Sequence, residues 1–234
     1  MNICLDLIPF IIKYSEINTI NWQKLIGIEC LVSICQNPVL LKIIYDKRFN
    51  KEDKENCTLY DDLINCVTKI SYTLVNAKLP DNFKKTMDKK ENKPHSLIEH
   101  SNIFTETDQT APVINVQQNM ISVVKMLLDI YTYWKDSYVF ILEANNIKLG
   151  KSLKNLNQTQ QLCQEFLCYG GEFLKNAMTA LLVNSIDDSI TQSYLNIFQS
   201  YITIFGSLSL ANARDSYLND LCKLAIPNNL GNLS

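Results

Sequence analysis

Apolar residues recur at steps of three and four through almost the whole chain, and a chain patterned this way buries them on the faces of helices. Leu25, Ile28, Val32 and Cys35 share one such face. Leu59, Leu63, Cys66, Val67, Ile70 and Leu74 share another. Met120, Val123, Val124, Leu127, Tyr131, Trp134 and Tyr138 share a third, within a helix predicted over 116–144. Six glycines and six prolines in 234 residues are too few turn-formers for a many-stranded sandwich or barrel.

Helix ends have their own signals. Asn37 is placed to cap a short helix that has Pro38 at its first position, where a missing N–H costs nothing. Thr58 and Asp61 have the spacing of a capping box. Asn145 suits a left-handed end. A helix is expected over 159–183, with Leu162, Phe166, Gly170, Phe173, Leu174, Met178 and Leu181 as its stripe, and Gly170-Gly171 inside it hints at a close approach or a kink. Asp187-Asp188 opens the next helix, whose stripe is Ile190, Tyr194, Ile197, Phe198, Tyr201 and Phe205, and Gly206 is its expected end. Asn212, with Asp215 three residues on, is expected to cap the last helix, with Tyr217, Leu218, Leu221 and Cys222 inward and Pro227 as its stop. The pattern implies an all-α chain, read as a HEAT/armadillo-like α-solenoid of antiparallel helix pairs, with a compact bundle as the alternative. Three segments follow: helical repeats over 1–75, a flexible insertion over 76–115, where periodicity is lost, and helical repeats over 116–234.

Little here points to chemistry. The two histidines, His95 and His100, both lie in the insertion. Cys30-x4-Cys35 and Cys163-x4-Cys168 lack the second pair or histidines that a zinc site needs, so the eight cysteines read as small core residues in a reducing compartment. Gly150-Lys151-Ser152 ends like a phosphate-binding loop, but position 145 is Asn where the earlier glycine belongs. No catalytic residue, metal or cofactor is expected. A net charge of −2 offers no field for nucleic acid. The run Lys84–Lys93, diluted by Asp88 and Glu91, reads as a solvated linker rather than a lipid-binding patch. No run of 18 uncharged apolar residues occurs, and the first dozen residues lack the basic start and cleavage site of a signal peptide. Those first residues are apolar on nearly all sides. They are expected to pack on preceding repeats, so the isolated chain should self-associate, and charges at Ile8 and Ile12 should reduce this.

The segment from Phe205 to Pro227 carries Gly206-x-Leu208-x-Leu210, then Arg214-Asp215, Tyr217-Leu218, Cys222-Lys223 and Pro227. It resembles a C-terminal motif of the Mon-two proteins, relatives of the large Arf guanine-nucleotide exchange factors. The block from Trp22 to Leu41, with Glu29-Cys30-Leu31 and Cys35-Gln36-Asn37-Pro38, is similar to a second block of that family. Asn119–Asp129 looks like the helix that follows the family's variable insertion. The "N-Y-D-C" box of the homology-upstream-of-Sec-seven domain, the N-terminal dimerisation domain and the Sec-seven exchange domain are not seen in this sequence. The resemblance implies a non-catalytic cytoplasmic scaffold in vesicular and endosome-to-Golgi protein transport, peripheral on Golgi and endosomal membranes, with Dopey-type and other trafficking partners. The chain would then cover the end of the upstream domain and the helices after it. The alternatives are part of an Arf exchange factor whose catalytic domain lies outside this chain, and a generic HEAT-like adaptor. The motif residues Trp22, Glu29, Pro38, Asn212, Arg214, Asp215, Tyr217, Cys222, Lys223 and Pro227 are read as structural. Arg214 is expected to reach a carboxylate on the preceding helix.

Overall fold

Every apolar stripe that falls on a described residue forms a helix. The computed structural model describes residues 2–16, 22–49, 58–77, 116–145, 158–185 and 187–225. The helices are α1 (Asn2–Ser15), α2 (Trp22–Cys35), α3 (Pro38–Asp46), α4 (Leu59–Asn76), α5 (Val116–Ala144), α6 (Gln158–Cys168), α7 (Gly171–Val183), α8 (Asp188–Ser207) and α9 (Ala211–Ala225). A single 3-10 turn, Lys47–Phe49, follows α3. No strand occurs among the described residues. The insertion expected over 76–115 begins on described helix at Asn76, and its residues 78–115, with the two histidines and the lysine run, lie outside the described residues, as do Asn146, Pro227 and the Gly150-Lys151-Ser152 stretch.

The caps divide into those the sequence places correctly and those that other bonds override. Asn37 accepts from the Leu40 N–H at 3.0 Å, ahead of Pro38 at the first helical position. Asp187 accepts from the Ser189 and Ile190 N–H groups at 2.9 and 3.0 Å, which satisfies two of the orphan donors of α8. Thr58 makes no capping bond: its backbone is helical (φ −96°, ψ −8°) rather than extended, and its hydroxyl donates to Asp62 at 2.9 Å. Asn145 is not left-handed, and its side-chain amide closes α5 on the Ile141 carbonyl at 2.7 Å.

Two breaks depart from expectation. The helix expected over 159–183 is two helices, because Gly170 takes φ +70° and ends the α6 path. A Cβ at Gly170 would overlap Ile64 Cδ1, so the residue answers both a turn and a close approach of α4. Phe173, expected in the buried stripe, consequently faces outward. At the second break α8 runs through Gly206 to Ser207. The left-handed residue is Ser209, φ +57°, with Leu210 N–H on Phe205 O at 2.9 Å and Ser209 N–H on Gly206 O at 3.1 Å. This is the Schellman pattern, carried by serine where glycine is usual.

Helix α5 packs against α2, α3, α4, α6 and α8. The closest packings join α1 to α2, α2 to α5, α4 to α7 and α8 to α9, with α3 and α8 also on α5 and α1 on α4. One continuous core extends from Ile8 to Tyr217. In α5 Leu127, Ile130, Tyr131, Trp134 and Leu142 are wholly buried, and each such apolar side chain contributes about 1.5–3 kcal/mol. Gly27 lets α2 approach α1: a Cβ there would lie 2.7 Å from Ser15 Oγ and 2.9 Å from its backbone nitrogen.

Helix α1 packs on this core by one side, which corrects the placement of Ile8 and Ile12 on a surface for preceding repeats. Ile8 is 1% exposed, and Ile11 and Ile12 pack on the core. Leu7, Phe10 and Tyr14 form the outer side, so charges at Ile8 and Ile12 would strike the core rather than a docking surface.

Two outcomes follow from these contacts. Gly170→Ala should cost about 1–2 kcal/mol from the left-handed backbone alone. Gly171→Ala, one residue on in open space, should be neutral or stabilising by about 0.5–1 kcal/mol. Urea denaturation of the two variants checks the contrast. Burial pushes the Cys66 thiol up from 9.0 to about 12, and holds Tyr60, Tyr194, Tyr201 and Tyr217 well above their ordinary 10.0. These groups stay protonated in the folded chain and ionise in the unfolded one. Their raised values contribute stability that is complete below pH 9.0 and lost as the pH climbs toward 12. Melting curves should show Tm falling above pH 9, and a Tm flat between about pH 8 and about pH 11 would contradict this assignment.

Candidate functional site

Helix α9 carries most of the motif residues, and the fold holds it by one face. Tyr217 inserts among Phe198, Tyr201 and Phe205 of α8, with ring centroids 5.2, 5.3 and 5.5 Å away. Its hydroxyl donates to the Gly171 carbonyl at 3.5 Å. Lys175 of α7 is buried and pairs with Asp220 at 3.0 Å, and its ammonium donates to Ser216 Oγ at 2.6 Å. Lys223 sits 3.6 Å from the other oxygen of Asp220. An apolar anchor and a largely buried ion pair therefore fix α9 on α7 and α8, the pair adding directional specificity.

The opposite face of α9 is open. Asn212, Asp215, Leu218, Asn219, Cys222 and Leu224 are exposed, which corrects the inward placement of Leu218 and Cys222. Asn212 is not the cap, because α9 already begins at Ala211 and the Arg214 N–H bonds the Leu210 carbonyl at 3.0 Å. Arg214 does not reach a carboxylate on the preceding helix. It donates to the adjacent Asp215 at 2.8 Å, while its stem lies over Gly206. Both partners are half exposed, so this pair is worth well under 1 kcal/mol.

The other motif residues lie on a separate part of the fold. Trp22 opens α2 with its ring exposed, Glu29 is half-buried and Pro38 starts α3. Helix α2 packs on α1, α3 and α5, whereas α9 packs on α8 and α7. The two motif blocks thus form two surfaces rather than one pocket.

A second polar cluster was not apparent in the sequence. The Arg48 guanidinium stacks 3.3 Å above the Tyr169 ring and 3.6 Å from Asp61, and the Tyr169 hydroxyl donates to Asp61. Tyr45 lies edge-on to Tyr60 and Phe166 at 5.3 and 4.7 Å. This cluster ties the turn after α3 to α4 and to the α6–α7 break. Burial, and then the bond to Asp61, raises the Tyr169 hydroxyl. It was not apparent because the partners are about a hundred residues apart. Lys175 was more accessible to reading, as a lysine set within the apolar stripe of α7 beside Leu174 and Ala177.

The chemistry open to these groups is limited. Cys30, Cys35, Cys66, Cys168 and Cys222 are free thiols. Burial raises Cys30, Cys35, Cys66 and Cys168, which keeps them protonated and poor as nucleophiles. Among the described residues no group of three His, Cys, Asp or Glu side chains could hold a metal ion. No single described helix is long and apolar enough to cross a membrane, and the α2–α3 pair that would suffice together bends by 90°. No family model, curated protein or solved structure matches the chain.

The α9 anchorage gives a direct test. Asp220→Ala leaves the Lys175 ammonium with Ser216 alone and should cost about 3 kcal/mol in chemical denaturation. Asn212→Ala, on the open face, should change stability by less than about 0.5 kcal/mol. A larger loss at Asn212 than at Asp220 would reverse the assignment.

Proposed function

We propose that this chain is a non-catalytic helical scaffold that acts through protein contacts in vesicular, endosome-to-Golgi transport. The observation that supports the scaffold reading is that α1 lies on α4, α4 on α7, α2 on α5 and α5 on α8, beside the contacts between the neighbours α1–α2 and α8–α9. A solenoid of HEAT or armadillo kind stacks like helices of successive units; with units α1–α3, α4–α6 and α7–α9 the first and second helices follow that pattern. In this reading the units stack with antiparallel neighbours, and their outer faces carry the partners.

The transport reading rests on the resemblance of 22–41 and 205–227 to Mon-two blocks. On that reading Dopey-type and other trafficking proteins are its partners, attachment to Golgi and endosomal membranes is peripheral, and no cofactor is involved. The open face of α9, with Leu218, Cys222 and Leu224 beside Asp215 and Asn219, suits a partner helix. The Cys222-Lys223 pair followed by Pro227 favours this branch over a catalytic Arf exchange factor.

Tagged full-length protein should coincide with Golgi or endosomal markers, and Leu218→Asp with Leu224→Asp should disperse it without altering helix content. Purified chain should leave GDP release from Arf unchanged. A diffuse wild-type distribution overturns the transport reading, and accelerated GDP release lost in a point variant moves the chain to the exchange-factor class.

A further inference from the structure

Helix α1 turns an ordered pattern of side chains away from the core. Leu7, Phe10 and Tyr14 are 53%, 60% and 48% exposed, and Asp6 and Lys13 are exposed beside them. At about 100° per residue, Phe10 lies at the centre of this face. Asp6 and Lys13 fall roughly 40–60° to one side of it, and Leu7 and Tyr14 a similar angle to the other. Along the axis, Asp6 is about 6 Å before Phe10 and Lys13 about 4.5 Å after it, with Leu7 and Tyr14 nearly mirrored in the same way.

We infer that α1 is the seam of a two-fold symmetric homodimer, in which two copies of α1 lie antiparallel with Phe10 against Phe10, Leu7 against Tyr14 and Asp6 paired with Lys13. A two-fold axis through Phe10 keeps each flank on its own side and reverses its order. The charged flank then meets its own complement, and the apolar flank meets another apolar flank. A parallel two-fold arrangement would swap the flanks and set Asp6 and Lys13 of each copy against Leu7 and Tyr14 of the other, leaving both charges without partners, so charge complementarity selects the antiparallel direction. The same complementarity argues for a second copy as the occupant, since the face is its own partner. This inference is independent of the transport reading, because it uses only the outer side of α1.

Sedimentation equilibrium on the whole 234-residue chain tests it. The expected result is a dimer that dissociates on dilution. Asp6→Lys and Lys13→Asp should each weaken it by about tenfold, and the double reversal should restore it. Phe10→Glu should give a monomer with an unchanged circular dichroism spectrum, and Tyr14→Arg serves the same purpose if that variant does not fold. A monomer at all concentrations, a dimer indifferent to the single reversals, or a double reversal no better than the singles would overturn the proposal. Binding of a monomeric chain to phosphatidylcholine–phosphatidylserine vesicles, lost in Phe10→Glu, would overturn it in favour of a lipid surface.

Discussion

The rest of the structure depends on covering α5. This 29-residue helix has buried side chains on more than one side, from Met120 and Val123 to Ile141 and Leu142. A helix apolar over so much of its circumference cannot rest on a single neighbour. It is enclosed by α2, α3, α4, α6 and α8, and those helices in turn position α1, α7 and α9. Trp134 and Tyr138, one turn apart, join this helix to Tyr60 of α4, Phe166 of α6 and Tyr201 of α8 through edge-on ring contacts near 5–6 Å. Aromatic contacts of that geometry add about 0.5–1.5 kcal/mol each beyond area burial. The polar ends of the rings are largely confined with them: Tyr131 shares a bond of 2.9 Å with Ser71, while burial keeps the phenols protonated.

What could be read from the sequence follows the length over which each signal acts. The stripes of α4, α5 and α8 were legible because many residues repeat one spacing, and tertiary packing reinforces that choice. Asn37 and Asp187 were legible because their capping bonds are local and uncontested. The misread ends were settled by distant partners. Asp61 answers to Arg48 and Tyr169 rather than to Thr58. The turn after α8 closes at Ser209, because Leu210 has to return its N–H to Phe205 and the Gln164 amide holds the Leu208 carbonyl at 2.8 Å. Gly206 lies inside the helix for the same reason, and α9 then starts from Leu210 without a side-chain cap. The anchors of α9 were only half legible: Tyr217 fits a stripe, but the partners of Lys175 lie more than forty residues away.

These constraints bear on function through what they leave uncovered. Among the described residues Lys175 pairs with Asp220 and Arg48 with Asp61 across elements, Cys35 and Cys66 are buried, and the outer faces of α1 and α9 stay open. The two motif blocks sit at separate surfaces, the start of α2 and the outside of α9.

Hydrogen exchange of the intact chain, followed by mass spectrometry, tests the central role of α5 most directly. Amides from Val123 to Tyr138 are enclosed on several sides and should open only with the whole molecule, exchanging more slowly than those of α1 and α9. Exchange in α5 as fast as in α1, under conditions where the chain remains folded, would contradict a structure organised around that helix.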